Sequence, residues 1–229
     1  MGKLFFYSDQ IIEENKRIDL ELIKRTEKNQ IKLGYIPSCG DKNRKYFNKQ
    51  IDYYSQYNIT DFMFLDLDSE FNNELVEELL TCDIIHISGG DPIYCLTNMR
   101  KRNFYSVLKE YYLNDGILVG VSGGAVQLGK NAVSFKIFQS SLDEALNEFD
   151  NLQTMGVVDF EFLPHYNRWG EEFKDLVKEY SRMVKTTIYA CDDGDGIIID
   201  NGTIAFIGTI KKIENGTETT FSKYNFNHI

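Results

Sequence analysis

The 229-residue chain is 42% hydrophobic, enough to bury a sizeable core, and this excludes an extensively disordered protein. A formal net charge of -10 at pH 7 argues against nucleic-acid and anionic-membrane partners, which need a positive surface. No apolar run approaches the roughly 20 residues that cross a bilayer, and the opening segment suits a first strand better than a secretory or myristoylated leader.

In chain order, residues 4–7 read as a strand and 11–28 as a helix with Ile11, Ile12, Ile18, Leu22 and Ile23 at helical spacing. Residues 31–37 form a second strand, 42–57 a helix, 61–67 a third strand and 72–80 a short helix. A fourth strand, 83–88, stops at Ser88-Gly89-Gly90-Asp91-Pro92; a helix over 106–113 then leads into a fifth strand at 116–121. Further on, 140–149 and 173–184 read as helices and 187–190, 196–200 and 204–208 as strands. The last three are expected to form an antiparallel edge or hairpin turning at Asp200-Asn201-Gly202.

Strands alternating with helices across short Gly-bearing loops predict one α/β domain over residues 1–229. Its sheet should be mostly parallel and doubly wound, with helices on both faces. Ligand sites in such sheets lie at the carboxyl ends of the strands, where the Gly89-Gly90 loop and Ser122 both fall. Cys39, Cys82, Cys95 and Cys191 are scattered without a C-x-x-C pair. They read as reduced thiols of a cytoplasmic protein, with no metal and no cofactor implied.

The run Ile117-Leu118-Val119-Gly120-Val121-Ser122-Gly123-Gly124-Ala125 carries the strongest chemical signal. It is an apolar strand entering Gly-x-Ser-x-Gly and then a helix, the pattern that lifts a serine hydroxyl clear of a sheet on a strained turn. The helix start aims free N–H groups and positive dipole at the same place. Such a serine needs a base, and the chain has three histidines. His86 lies mid-strand, where a neighbour should satisfy it, and His228 lies at the chain end. His165, in Phe162-Leu163-Pro164-His165-Tyr166-Asn167-Arg168, sits where an apolar segment turns polar and is the candidate base. For the acid, an α/β-hydrolase order would draw on Asp143, Asp150 or Asp159. The cluster Cys191-Asp192-Asp193-Gly194-Asp195-Gly196 offers three more carboxylates, or simply an acidic surface turn.

Four ordered motifs, Gly89-Gly90-Asp91, Gly120-Val121-Ser122-Gly123-Gly124-Ala125, Pro164-His165-Tyr166 and Asp193-Gly194, together resemble those of peptidase family S51. That family includes the aspartyl dipeptidase peptidase E and the cyanophycinases. The resemblance extends to the opening strand and to Gly34-Tyr35-Ile36-Pro37. It implies a fold of the class I glutamine amidotransferase (flavodoxin-like) kind and a serine-type peptidase hydrolysing short peptides through an acyl-enzyme. By the same resemblance Ser122 is the nucleophile and His165 the base, Gly90 and Gly123 form the oxyanion hole, and Asp193 matches the acid, with Asp192 and Asp195 a small shift away. The expected partner is a small peptide; a homodimer is compatible with this reading. Two departures matter: Ser122-Gly123-Gly124-Ala125 stands where Ser-Ala-Gly-Ala is usual, which should loosen the elbow, and Asp91 replaces peptidase E's asparagine.

Other readings compete. Residues 124–131 nearly spell a P-loop, but Asn131 replaces the magnesium-binding Ser or Thr. An α/β-hydrolase esterase, or an inactive amidotransferase-like binding module, would also present a serine here. Arg168, Arg100 or Lys101 are the cations placed to meet a substrate carboxylate.

Overall fold

The computed structural model describes residues 1–221 and the backbone of 222 and 226–228; the side chain of His228 lies outside the described residues. The first half runs β1 (Lys3–Tyr7), α1 (Lys16–Thr26), β2 (Lys32–Ile36), α2 (Lys45–Ser55), β3 (Asp61–Phe64) and α3 (Asn73–Leu79). It continues through β4 (Ile84–Ile87), α4 (Pro92–Lys101), α5 (Phe104–Leu113), β5 (Ile117–Val121) and α6 (Gly123–Leu128). The remainder comprises α7 (Val133–Gln139), α8 (Leu142–Asn147), β6 (Glu161–Leu163), α9 (Glu171–Val184) and six strands. These are β7 (Thr187–Cys191), β8 (Gly196–Asp200), β9 (Thr203–Ile207), β10 (Thr209–Glu214), β11 (Thr217–Ser222) and β12 (Phe226–His228).

Eight strands form the main sheet in the order β12-β9-β8-β1-β5-β4-β2-β3. The five on the β1-to-β3 side are parallel, and β8, β9 and β12 extend the sheet antiparallel. This is the doubly wound α/β arrangement expected. Strand alternation divides the core between two faces: in β1, Phe5 and Tyr7 pack with Ile18 and Leu22 of α1 and Tyr54 of α2. Leu4 and Phe6 face the other way, toward the cluster holding Met99, Phe104 and Leu108 of α4 and α5.

A second sheet, ordered β11-β10-β7-β6, departs from the expected topology. Strand β7 does not join β8 and β9; it pairs parallel with β6 and antiparallel with β10. The β8–β9 hairpin does form, and Asn201 and Gly202 take φ of 49° and 74°, the paired positive values of a type I′ turn. Asn215-Gly216 repeats that geometry (52° and 80°) and turns β10 into β11. The sheets meet through aromatic rings, with Phe6 5.4 Å from Phe162 and Phe206 5.2 Å from Tyr189 between centroids. On its far side the second sheet buries Ile188, Ala190 and Ile213 against Val133, Val177 and Tyr180 of α7 and α9.

Helix α1 starts at Lys16, later than its apolar period implies, because Ile11 has φ of 72° and Ile12 is extended. Helix α6 is the one expected to follow Ser122, whereas α4 and α7 have no counterpart among the expected helices. Within α6, Gln127 is buried and bonds the carbonyls of Pro92 and Gly123 and the hydroxyl of Tyr105. The 124–131 segment is thus a packed helix and its exit rather than a phosphate cradle. Among the described residues, no helix is long and apolar enough to cross a membrane.

Candidate active site

Ser122 occupies the junction of β5 and α6 with φ of 50° and ψ of −116°, a region costly for a residue with a side chain. The surroundings over-determine it. Its N–H continues the parallel ladder to the Tyr7 carbonyl at 2.9 Å, and its carbonyl takes the N–H groups of Ala125 and Val126 as α6 begins. The ends of β1, β4 and β5 therefore bring Ser8, Gly89-Gly90 and Ser122 to one rim of the sheet, as a parallel sheet's topology requires.

Ser122 Oγ lies 2.8 Å from Nε2 of His165. His165 follows Pro164 at the end of β6 with a left-handed φ of 59°. Its backbone N–H donates to Ser8 Oγ at 2.8 Å, and the buried Ser8 hydroxyl donates to the Cys191 carbonyl at 3.0 Å. The imidazole position thus depends on both sheets. On its other side, Nδ1 stands 2.6 Å from Oδ1 of Asp193. A proton on Nδ1 facing that carboxylate leaves Nε2 free to accept the Ser122 proton.

Of the three neighbouring carboxylates only Asp193 meets the imidazole. Asp195 accepts from Thr209 N–H and from Arg17, and Asp192 uses its carbonyl to take the Asp195 N–H and close the turn. Burial pushes the Asp193 carboxyl pKa up, but hydrogen bonds from His165, Arg168 and Asn167 outweigh it and hold the group below its usual range. Asp192 and Asp195 are shifted upward, chiefly by burial. Asp143 and Asp150 are exposed, and Asp159 pairs with Lys130, so the α/β-hydrolase order of residues is not followed.

Arg168 is not left free for a substrate carboxylate. Its Nε donates to Asp193 Oδ2 at 2.6 Å and its Nη2 to Asp9 Oδ2 at 2.5 Å. Arg100 is likewise engaged, on the carbonyls of Asp150 and Gln153, and Lys101 is exposed at the end of α4. Asp9, His165 and Asp193 bring ligand-type atoms within 4.8 Å of one another, a spacing open to a metal ion, and the Arg168 guanidinium answers the carboxylate charge there. Ser8, Asp9 and Asn167 escaped the sequence reading. Asn167 and Arg168 lie two and three positions after His165, while Ser8 and Asp9 follow β1 beside β5, so their proximity was available from the topology.

The Ser-Gly-Gly sequence does not loosen the elbow. A Cβ on Gly123 would stand 2.0 Å from the Gly90 carbonyl oxygen, and one on Gly124 would stand 2.2 Å from that of Ile87. Backbone packs directly on backbone here, and glycine is what permits it. Gly90 and Gly123 line one small cavity together with Ser122 and His165. Asp91 caps α4, its Oδ1 accepting the N–H groups of Ile93 and Tyr94 at 2.8 and 3.0 Å. His86, as expected, is a buried sheet residue, with Nδ1 3.0 Å from the Tyr54 hydroxyl. A cleft of about 420 Å³ at the opposite end of the strands has its Arg25 and Lys28 already paired with acids.

A serine on a strand-to-helix turn, hydrogen-bonded to a histidine at the carboxyl rim of an α/β sheet, is the architecture of a hydrolase. The profile of peptidase family S51 matches residues 7–207, and the chain belongs to that family. It is similar to the uncharacterized peptidase YgaJ of Bacillus subtilis strain 168, at 21% identity over 79% of this chain and 74% of that one. A second relative, the uncharacterized peptidase Lmo0363 of Listeria monocytogenes, is 28% identical over 59% of this chain and 65% of that protein. Among solved structures, a peptidase from an acI-B1 Actinobacterium superposes with a TM-score of 0.75 at 17% identity, covering 100% of this chain and 97% of that one. The chain is accordingly a peptidase-family hydrolase with the S51 fold.

Proposed function

We propose that the protein is a serine peptidase that cleaves short peptides through Ser122, His165 and Asp193. The continuous relay from Ser122 Oγ through the imidazole to Asp193 supports this most directly. His165 Nε2 takes the hydroxyl proton as Ser122 Oγ attacks the peptide carbonyl carbon. Asp193, kept ionised by its hydrogen bonds, stabilises the imidazolium. The developing oxyanion is received by the backbone N–H groups of Gly90 and Gly123, the latter at the positive end of α6. The imidazolium then protonates the leaving amine. Water, deprotonated by the same imidazole, releases the acyl group from Ser122.

Short peptides suit the site because the pocket beside Ser122 is only about 90 Å³. A fluorophosphonate probe tests the assignment. Ser122 should be labelled covalently in the folded wild type, and Ser122→Ala should abolish both labelling and dipeptide hydrolysis. Undiminished hydrolysis by Ser122→Ala would refute the nucleophile.

A further inference from the structure

Beside the Ser122–His165 pair lies a pocket of about 90 Å³. Its apolar walls come from Pro92, Val126, Ala132, Phe135, Phe162 and Trp169, which belong to several different elements. Apart from Ser122, His165 and the Gly90 and Gly123 backbone at the reaction centre, the polar lining residues have their polar side-chain atoms committed elsewhere. Asn131 Nδ2 and the Ser134 hydroxyl both donate to the buried Glu161 carboxylate, at 3.0 and 2.9 Å. Asn131 Oδ1 accepts from Val133 N–H at 2.9 Å, and the Trp169 indole N–H donates to the Pro164 carbonyl at 2.8 Å. Among the described residues no Asp, Glu, Lys or Arg lines this pocket.

A second cavity, of about 400 Å³, opens on the other side of the Gly89-Gly90 loop. It is lined by Asp9, Tyr46, Lys49 and Gln50, and Gly90 borders both spaces. A short peptide lying across Gly90 would therefore meet an uncharged apolar pocket on one side and, on the other, a mixed cavity in which Asp9 and Lys49 stand among apolar residues such as Ile11, Pro37 and Val121.

We propose that the smaller pocket receives an aliphatic side chain of valine-to-leucine size flanking the scissile bond. The protein would then select an apolar residue there in preference to an acidic one. Size sets the upper limit, since a dry cavity of roughly 150 Å³ is what holds a benzene ring. Chemistry sets the class: beyond the Gly90, Gly123, Ser122 and His165 groups at the reaction centre, a carboxylate entering this pocket finds no cation, and the Asn131, Ser134 and Trp169 donors are already engaged, so an unpaired charge is strongly disfavoured there. Asp91, next to Gly90 in the chain, adds a like charge against acidic side chains. The inference rests on the serine-peptidase reading for its biological meaning, but pocket occupancy is measurable without turnover.

Trp169 is the chain's single tryptophan, so its fluorescence reports filling of the pocket it lines. The Ser122→Ala protein, titrated with Leu-Ala, Ala-Leu, Asp-Ala, Ala-Asp and Gly-Gly, should show a saturable change with one leucine dipeptide. Its affinity should exceed that of the Asp and Gly counterparts by about ten-fold or more, the effect of aliphatic groups in an apolar pocket. The leucine position that responds identifies which side of the bond the pocket serves. Equal affinities, tighter binding of the Asp dipeptides, or no saturable change with either leucine dipeptide would overturn the proposal. Ala132→Leu should fill the pocket and erase the leucine preference. Should that variant fail to fold, Phe135→Ala, at a half-buried position, should enlarge the pocket and shift preference toward Phe-containing dipeptides; an unchanged preference would again overturn it. Fluorophosphonate labelling of wild-type Ser122, run in parallel, separates failure of the pocket proposal from failure of the hydrolase reading.

Discussion

Arg168 Nε lies 2.6 Å from Oδ2 of Asp193, the carboxylate oxygen that His165 does not use. The guanidinium also reaches Asp9, tying the loop before α9 to the end of β1. A planar fork with several donors makes two such bonds at once; an ammonium offers one compact charge. The contact orients the Asp193 carboxylate, whose plane decides where Nδ1 of His165 is held. Half of the Arg168 side chain is exposed, so solvent screening limits the strength of the pair.

Arg168→Gln should therefore lower kcat/KM by roughly ten-fold, the scale of one charge-assisted hydrogen bond. Arg168→Lys should recover it only partly. An NMR titration of the Asp193 carboxyl provides the independent readout: its pKa should rise in Arg168→Gln, because one of the bonds holding it down is gone. An unmoved Asp193 titration would show that Arg168 does not act through the acid.

Asp193→Asn should lower kcat by about 10⁴-fold with little change in thermal stability, because an amide donating to Nδ1 leaves the imidazole in the wrong tautomer. Asp192→Asn and Asp195→Asn should spare the chemical step, since neither side chain contacts His165; Asp195→Asn should cost stability through Thr209 and Arg17. Steady-state kinetics on the three variants checks the assignment.

Gly123→Ala should damage the site even though alanine favours helices. Its Cβ would come 2.0 Å from the Gly90 carbonyl oxygen, so one strand of backbone must retreat and the pair of N–H donors separates. Loss of one oxyanion donor costs about 2.7–4 kcal/mol, or 10²–10³ in kcat. The expected result is a kcat loss of that order with a lowered Tm, measured by kinetics and thermal unfolding.

His86 should make the fold acid-sensitive. Burial pushes its imidazole pKa down to about 3, against roughly 6.5 for a free imidazole. Between those values the unfolded chain binds a proton that the folded one refuses. Stability from this group is complete above about pH 6.5 and is lost as pH falls toward 3. Between pH 7 and pH 5 the loss amounts to about 2 kcal/mol. Urea unfolding of wild type and His86→Asn at both pH values should show the difference between them shrinking by that amount on acidification.

The alternation of apolar strands with amphipathic helices is local information, and β1 to β5 could be read from it. The Ser122 turn could be read for the same reason, since Gly120, Gly123 and Gly124 lie within a few residues of it. The same chemistry at Asn201-Gly202 marked a hairpin, and Asn215-Gly216 carried a second that went unread. Placement of β7 was another matter. Its run of residues 187–191 suits either sheet, and only pairing with β6 and β10 decides between them.

Neighbouring residues dictate backbone period and turn geometry, so the serine, its strand and the histidine's strand-end setting were all written within short stretches of chain. Partnership was not. The serine and histidine are 43 positions apart, the histidine and its acid 28, and the Arg168–Asp9 contact spans 159. Contacts at such separations follow from strand order and sheet-on-sheet packing. Those long-range arrangements brought Asp193, rather than either of two carboxylates within two positions of it, to the imidazole, turned Arg168 from a free cation into a brace, and closed an apolar pocket beside the Ser122 hydroxyl.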